Sequence, residues 1–195
     1  MQKWRPASWP WEDCVGRLKL QMQITVDGMN PDGENEGLSW DEVKDYSLEL
    51  LKEADTIVLG SKTAGEFIPY WDRTAEKPDD PWHEIGKLIS EARKVVFSRS
   101  IDGKEWNNTT VERGDLAPAI ERLKRDTTRD IIAYGGVSFV ASLVAHQLID
   151  EFHLLVNPVA LGSGRSIFAG LGKPQSLRLQ KAVALKSGHV LLHYH

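Results

Sequence analysis

Little in this chain can be crosslinked, inserted into a bilayer or laid along a polyanion. Cys14 is the only cysteine, so neither an intrachain disulfide nor a cysteine-rich metal site can form, which fits a reducing, cytoplasmic setting. No segment approaches the ~20 consecutive apolar residues that span a bilayer. The opening stretch MQKWRPASWPWEDC also lacks an apolar run of signal-peptide length. Its tryptophans Trp4, Trp9 and Trp11 are separated by prolines, which forbids an amphipathic surface helix, so this arm (residues 1–16) is expected to pack on the domain or on a partner subunit. Charge of one sign is lacking too. The 24 basic residues are scattered among 28 acidic ones, which argues against nucleic acid as a partner.

Several catalytic signatures are absent as well. No Gly-x-Ser-x-Gly elbow follows a strand, and Gly162-Ser163-Gly164 lacks that frame, so a serine hydrolase is unsupported. The six histidines include His189, His193 and His195 on one face of a terminal strand, but no acid or cysteine stands at ligand spacing beside them. No metal is therefore expected. His146 and His153 read as helix-end and strand-surface residues.

What the chain does have is a succession of short buried strands, each ending in a turn suited to anions. A length of 195 residues with 41% hydrophobic and 27% charged residues fits one well-buried domain, taken as 17–195. Asp130 to Tyr134 (DIIAY) has the composition of a strand buried on both faces, Gly135-Gly136 follows, and Val137 to about Leu148 reads as a helix. Free amides at such a helix start favour an anion, although a Gly-Gly between strand and helix is more often a tight structural turn. The three-glycine dinucleotide fingerprint is missing, because position 138 is Ser. Asp55 to Leu59 (DTIVL) ends the same way, in Gly60-Ser61-Lys62-Thr63, which adds a cation and two hydroxyls, and a helical stretch follows around Ala64 to Phe67. A capped helix with a solvated Lys62 is the alternative there. Lys94 to Phe97 closes in Ser98-Arg99-Ser100. In an open parallel sheet such strand ends share one edge, and three anion-friendly turns together suit a dinucleotide carrying an extra phosphate.

The remaining elements follow from periodicity. Arg17 to Val26 alternates without a break, with Leu18, Leu20, Met22, Ile24 and Val26 on one face and polar residues on the other, and ends in Asp27-Gly28 and a long polar loop. Ser39-Trp40-Asp41-Glu42 is a capping box opening a helix to about Glu53, with Trp40, Val43, Ser47, Leu50, Leu51 and Ala54 as its inward stripe. Pro69 to Pro81 is expected to be a loop, Trp82 to Glu91 a helix, Trp106 to Glu112 a short strand and Gly114 to Arg125 a helix. Asp150 to Val156 reads as a strand, and Leu177 to Leu185 with His189 to Tyr194 as a pair joined at Ser187-Gly188.

Taken in order, QITVDGM, ADTIVLGSKTAGEF, KVVFSRS, the block from Asp130 to Phe168 and the closing SGHVLLHYH resemble the dihydrofolate-reductase-like fold. The branch is that of the reductase domain of the riboflavin-biosynthesis deaminase-reductase and its stand-alone relatives. The resemblance implies an α/β domain, a mostly parallel sheet flanked by helices with a C-terminal antiparallel strand pair, working as an NADPH-dependent reductase of a small heterocyclic or carbonyl substrate and pairing as a homodimer. It implies that Gly60, Ser61, Lys62 and Thr63 approach the phosphates of NADPH, that Ser98 and Arg99 flank the 2′-phosphate, and that Gly135, Gly136, Val137 and Ser138 hold the diphosphate. Asp27 and Asp41 are the catalytic candidates. Gly28, Trp40, Leu161, Gly162 and Gly164 are the candidates to border the substrate. Dihydrofolate reductases carry a carboxylate on the inward face of the first helix, which is missing here, so folate is disfavoured; the deaminase zinc motif is absent too. An NADP(H)-binding sensor or scaffold without turnover and a nucleotide-binding transferase are the alternatives.

Overall fold

The apolar run DIIAY becomes a strand whose first four residues are buried, because both of its faces are covered by helices. The structure, a computed structural model, describes residues 16–31, 41–101 and 106–195. The arm up to Cys14, Ser39 and Trp40 lie outside the described residues. In chain order the elements are β1 (Leu18–Thr25), α1 (Asp41–Glu53), β2 (Ala54–Gly60), α2 (Ser61–Ala75), α3 (His83–Glu91), β3 (Arg93–Phe97), β4 (Thr109–Glu112), α4 (Leu116–Asp126), β5 (Asp130–Tyr134), α5 (Val137–Ala145), β6 (Glu151–Asn157), β7 (Leu179–Ala184) and β8 (Val190–Tyr194).

The strands form one eight-stranded sheet in the order β4-β3-β2-β5-β1-β6-β8-β7. The pairings from β4 across to β6 are all parallel, while β8 runs antiparallel to both β6 and β7. This is the expected α/β architecture with its C-terminal antiparallel pair. Alternation along each strand sorts side chains into two cores. Ile57, Leu59 and Ile132 face Leu51 of α1, Ile68 of α2 and Ile85 of α3. Val58, Ile131 and Ala133 face Ile120 of α4 and Val140 and Leu143 of α5. Each such fully buried aliphatic side chain contributes about 1.5–3 kcal/mol.

One expectation is corrected, and two further features were not legible in the local sequence. Pro69 does not end a helix: α2 runs through it to Ala75, with the loop confined to the residues after it. A mid-helix proline costs about 3 kcal/mol, and burial of Ala64, Ile68 and Thr74 offsets it, together with edge-on packing of Trp71 on Phe67 and Trp82. The polar side of β1 does not meet solvent. Lys19 is 2% exposed and Gln21 and Gln23 are half-buried, because β1 lies between β5 and β6 with α1 across that face, whereas Val26, beyond the strand end, is 63% exposed. Lys94 is fully buried within its apolar run, its ammonium donating to the carbonyls of Ile89, Ser90 and Ala92 at 2.8–3.0 Å and so capping the end of α3.

Candidate active site

Because β3, β2 and β5 are neighbours and parallel, their C-terminal turns emerge side by side on one edge. Gly60 and Gly136 stand at the N-caps of α2 and α5, and neither helix start has a side-chain cap. The Gly136 amide donates to Thr63 Oγ1 at 2.7 Å, joining the two turns. Gly135 has φ 143°, which only glycine adopts comfortably, and a Cβ there would lie 3.4 Å from Thr63 Oγ1. Gly60 has a packing reason instead: a Cβ would come within 2.9 Å of Phe139 Cβ. Lys62 and Ser138 are exposed, Ser61 is half-buried, and the Val137 side chain belongs to the core, leaving only its backbone for a ligand. After β3, Ser98 Oγ accepts from the amides of Ser100 and Ile101, and Arg99 is exposed. A cation missed in the sequence joins this turn, since Arg113 donates to the carbonyls of Arg99 and Ile101.

At the end of β1 the chain turns back on itself, with Gly28 at φ 78° and its amide donating to Thr25 O. Asp27, Gly28, Leu161, Gly162 and Gly164 are brought together, and the Asp27 carboxylate is engaged by the loop itself. Its carboxylate accepts from the Thr25 hydroxyl at 2.5 Å and from the amides of Leu161 and Gly162 at 3.0 and 2.7 Å. These donors, Thr25 first, hold its carboxyl below the usual carboxylate range. Asp27 thus anchors the glycine loop after β6, where a Cβ on Gly164 would lie 3.5 Å from Met29 Cβ. Asp41 opens α1 on the surface, and neither carboxylate lines the adjoining cavity.

That cavity, of about 620 Å³, lies between the polar side of β1 and helices α1 to α3. Aromatic walls come from Phe67, Trp71 and Trp82. Tyr134 donates to Gln21 Oε1 at 2.9 Å, and Gln21 Nε2 donates to Ser47 Oγ at 2.7 Å. Burial pushes the Tyr134 phenol up. Gln23 Oε1 is buried in the same wall without a hydrogen-bond partner among the described residues. Tyr46 bonds His153 Nδ1 at 2.5 Å, and burial, then the negative charge of Glu151, push its phenol up to about 12. His153 is 2% exposed and hence not a strand-surface residue. Sequence reasoning missed these polar groups because β1 carried the signature of a half-solvated strand; its Gln21 and Gln23, next to a helix with an inward Ser47, were the available signal.

Residues 17–191 match the family model described as the RibD C-terminal domain. The chain belongs to that family. YyaP of Bacillus subtilis (strain 168) is 31% identical to this RibD C-terminal domain over 186 residues, covering 92% of the chain and 94% of YyaP. RibD of Acinetobacter baumannii superposes with a TM-score of 0.66 at 13% identity, over 92% of this chain and 57% of that one. A dihydrofolate reductase of Enterococcus faecalis complexed with NADP(H) superposes with a TM-score of 0.52 at 16% identity, over 93% and 97% of the two chains. At those identities the superpositions establish the dihydrofolate-reductase-like fold. No described helix is long and apolar enough to cross a membrane.

Proposed function

We infer that this RibD C-terminal domain is an NADPH-dependent reductase of a small heterocyclic or carbonyl compound, of the kind found in riboflavin biosynthesis. The observation that carries this reading is the position of Gly135, which sits in the anion-ready turn and also lines the 620 Å³ cavity. A ligand held by its phosphates along the turns can therefore reach the cavity with its other end.

The residues present fit the cofactor. Uncapped amides open α2 and α5, and a Cβ at the exposed Gly136 would meet nothing but Thr63 Oγ1 before entering the open side of the turn. Gly60 to Thr63 and Gly135 to Ser138 would hold the diphosphate through their backbones, and Ser98 and Arg99 the 2′-phosphate. The NADP(H) complex of the Enterococcus reductase supports the same class of cofactor. When bound, NADPH supplies a hydride.

The cavity wall supports an uncharged, planar substrate. Aromatic faces suit a flat ring, and Gln23 Oε1, unpaired among the described residues, is an acceptor for a ring N–H. Among the described lining residues there is no aspartate, glutamate, lysine or arginine, which favours this class over folate. The test is NADPH oxidation by the full chain across pyrimidine, pterin and carbonyl compounds, with Gln23→Ala beside wild type. Turnover on a pyrimidine or carbonyl compound, with a raised KM in Gln23→Ala, is expected. Tight NADPH binding without oxidation on any of them would make the protein a cofactor-binding sensor instead.

A further inference from the structure

We propose that Glu151, His193 and His195 form a binding site for one divalent transition-metal ion of zinc's class. The site lies on the edge of the sheet opposite the glycine turns and does not depend on the reductase reading.

No carboxylate stands near the terminal histidines along the chain, but the antiparallel pairing of β6 with β8 supplies one from across the ladder. Phe152 pairs with Tyr194 and His153 with His193. Residues two apart share a face, so Glu151 and His153 on β6 meet His193 and His195 at the end of the chain. His193 Nε2 lies 3.2 Å from Glu151 Oε2, His195 Nε2 lies 3.8 Å from Glu151 Oε1, and the three donor atoms all fall within 4.8 Å of one another. A tetrahedral ion with bonds of about 2.0–2.1 Å holds its ligands roughly 3.3 Å apart. The observed spacing needs only small rotations to match it.

A second cavity, of about 280 Å³, opens on these residues and leaves room for water at a fourth position. The surroundings also resemble the outer support of a metal site. His153 Nε2 stands 3.2 Å from Glu151 Oε2 and is itself fixed by Tyr46, while Arg17 pairs with Glu151 Oε1. Two of the three cations lining that cavity are matched by carboxylates: Lys19 contacts Glu53 at 2.5 Å and Asp130 at 2.7 Å, and Arg17 contacts Asp130 at 3.1 Å; the third, Lys181, lies over the Tyr46 ring. Two imidazoles and one carboxylate select zinc, cobalt or nickel over calcium and magnesium, which take oxygen donors. Bound there, the ion would tie the end of the chain to β6.

The experiment uses the full chain without a histidine tag. Zinc is titrated in competition with a chromophoric chelator, and cobalt uptake is followed by its visible absorption. One ion per chain is expected, with affinity lowered at least about tenfold in His193→Ala and in the more exposed His195→Ala, and unchanged in His146→Ala, which lies at the end of α5. A folded wild type that takes up no stoichiometric zinc would overturn the proposal. So would His195→Ala binding zinc as tightly as wild type.

Discussion

The two edges of the same mostly parallel sheet are built from different materials. At the C-terminal edge, the turns after β2 and β5 offer backbone amides, with glycine where a side chain would obstruct. At the N-terminal edge, Arg17, Lys19, Asp130, Glu151 and the terminal histidines form a network of side-chain charges. The difference follows from strand direction. Parallel strands followed by helices put unpaired helix amides on one edge only, so a ligand can be held there by main chain, whereas the opposite edge must gather its polarity from side chains.

Substitutions at the first edge should therefore disturb binding, and at the second, folding. Lys19→Met removes the cation between Glu53 and Asp130, and breaking a buried pair costs about 3 kcal/mol. Thermal or urea unfolding should register that loss while NADPH affinity stays unchanged. Gly136→Val acts the other way: φ −63° and ψ 150° accommodate valine, so the melting temperature should change little, yet NADPH affinity should fall by about a hundredfold, or ~2.7 kcal/mol. Gly60→Ala sharpens the contrast within one edge. The clash with Phe139 Cβ should lower stability by ~1–3 kcal/mol, as overpacking does.

A smaller and more selective effect is expected at the β3 turn. Charge-assisted hydrogen bonds from Arg99 to a 2′-phosphate are worth ~1.5–3 kcal/mol. Arg99→Ala should weaken NADPH roughly ten- to a hundredfold and leave NADH nearly unaffected, as paired titrations at one ionic strength would reveal; Arg113 at the same turn pulls the loss toward the lower figure. The smallest effect concerns Asp27. Its carboxyl is held below the unfolded value, so its hold on the Leu161–Gly162 amides is complete above about pH 4 and is lost as pH falls through the folded value. Limited proteolysis of that loop should accelerate on acidification in wild type, and in Asp27→Asn it should already be fast at neutral pH.

How legible each region was follows from the same distinction. The turns at Gly60 and Gly135 could be read directly, since each depends on a contiguous apolar strand, a glycine and a helix start. Asp27 was half legible: its position at the end of β1 followed from alternation, but its engagement by the Leu161–Gly162 amides depends on a contact across 135 residues of chain. The cavity wall escaped notice because alternation cannot tell a solvated face from one covered by α1, as Gln21 and Gln23 show. The group of Glu151 with His193 and His195 was invisible for a stronger reason, being created only by the β6–β8 register. Pro69 misled because a local rule was outweighed by the aromatic packing of α2 on α3.

Equilibrium titration of NADPH into the wild-type chain, with adenosine 2′,5′-bisphosphate as competitor, bears most directly on the central claim. Saturable binding at one site per chain, displaced by the competitor, is the predicted result. The absence of saturable binding up to millimolar NADPH, or binding that the bisphosphate leaves untouched, would contradict it.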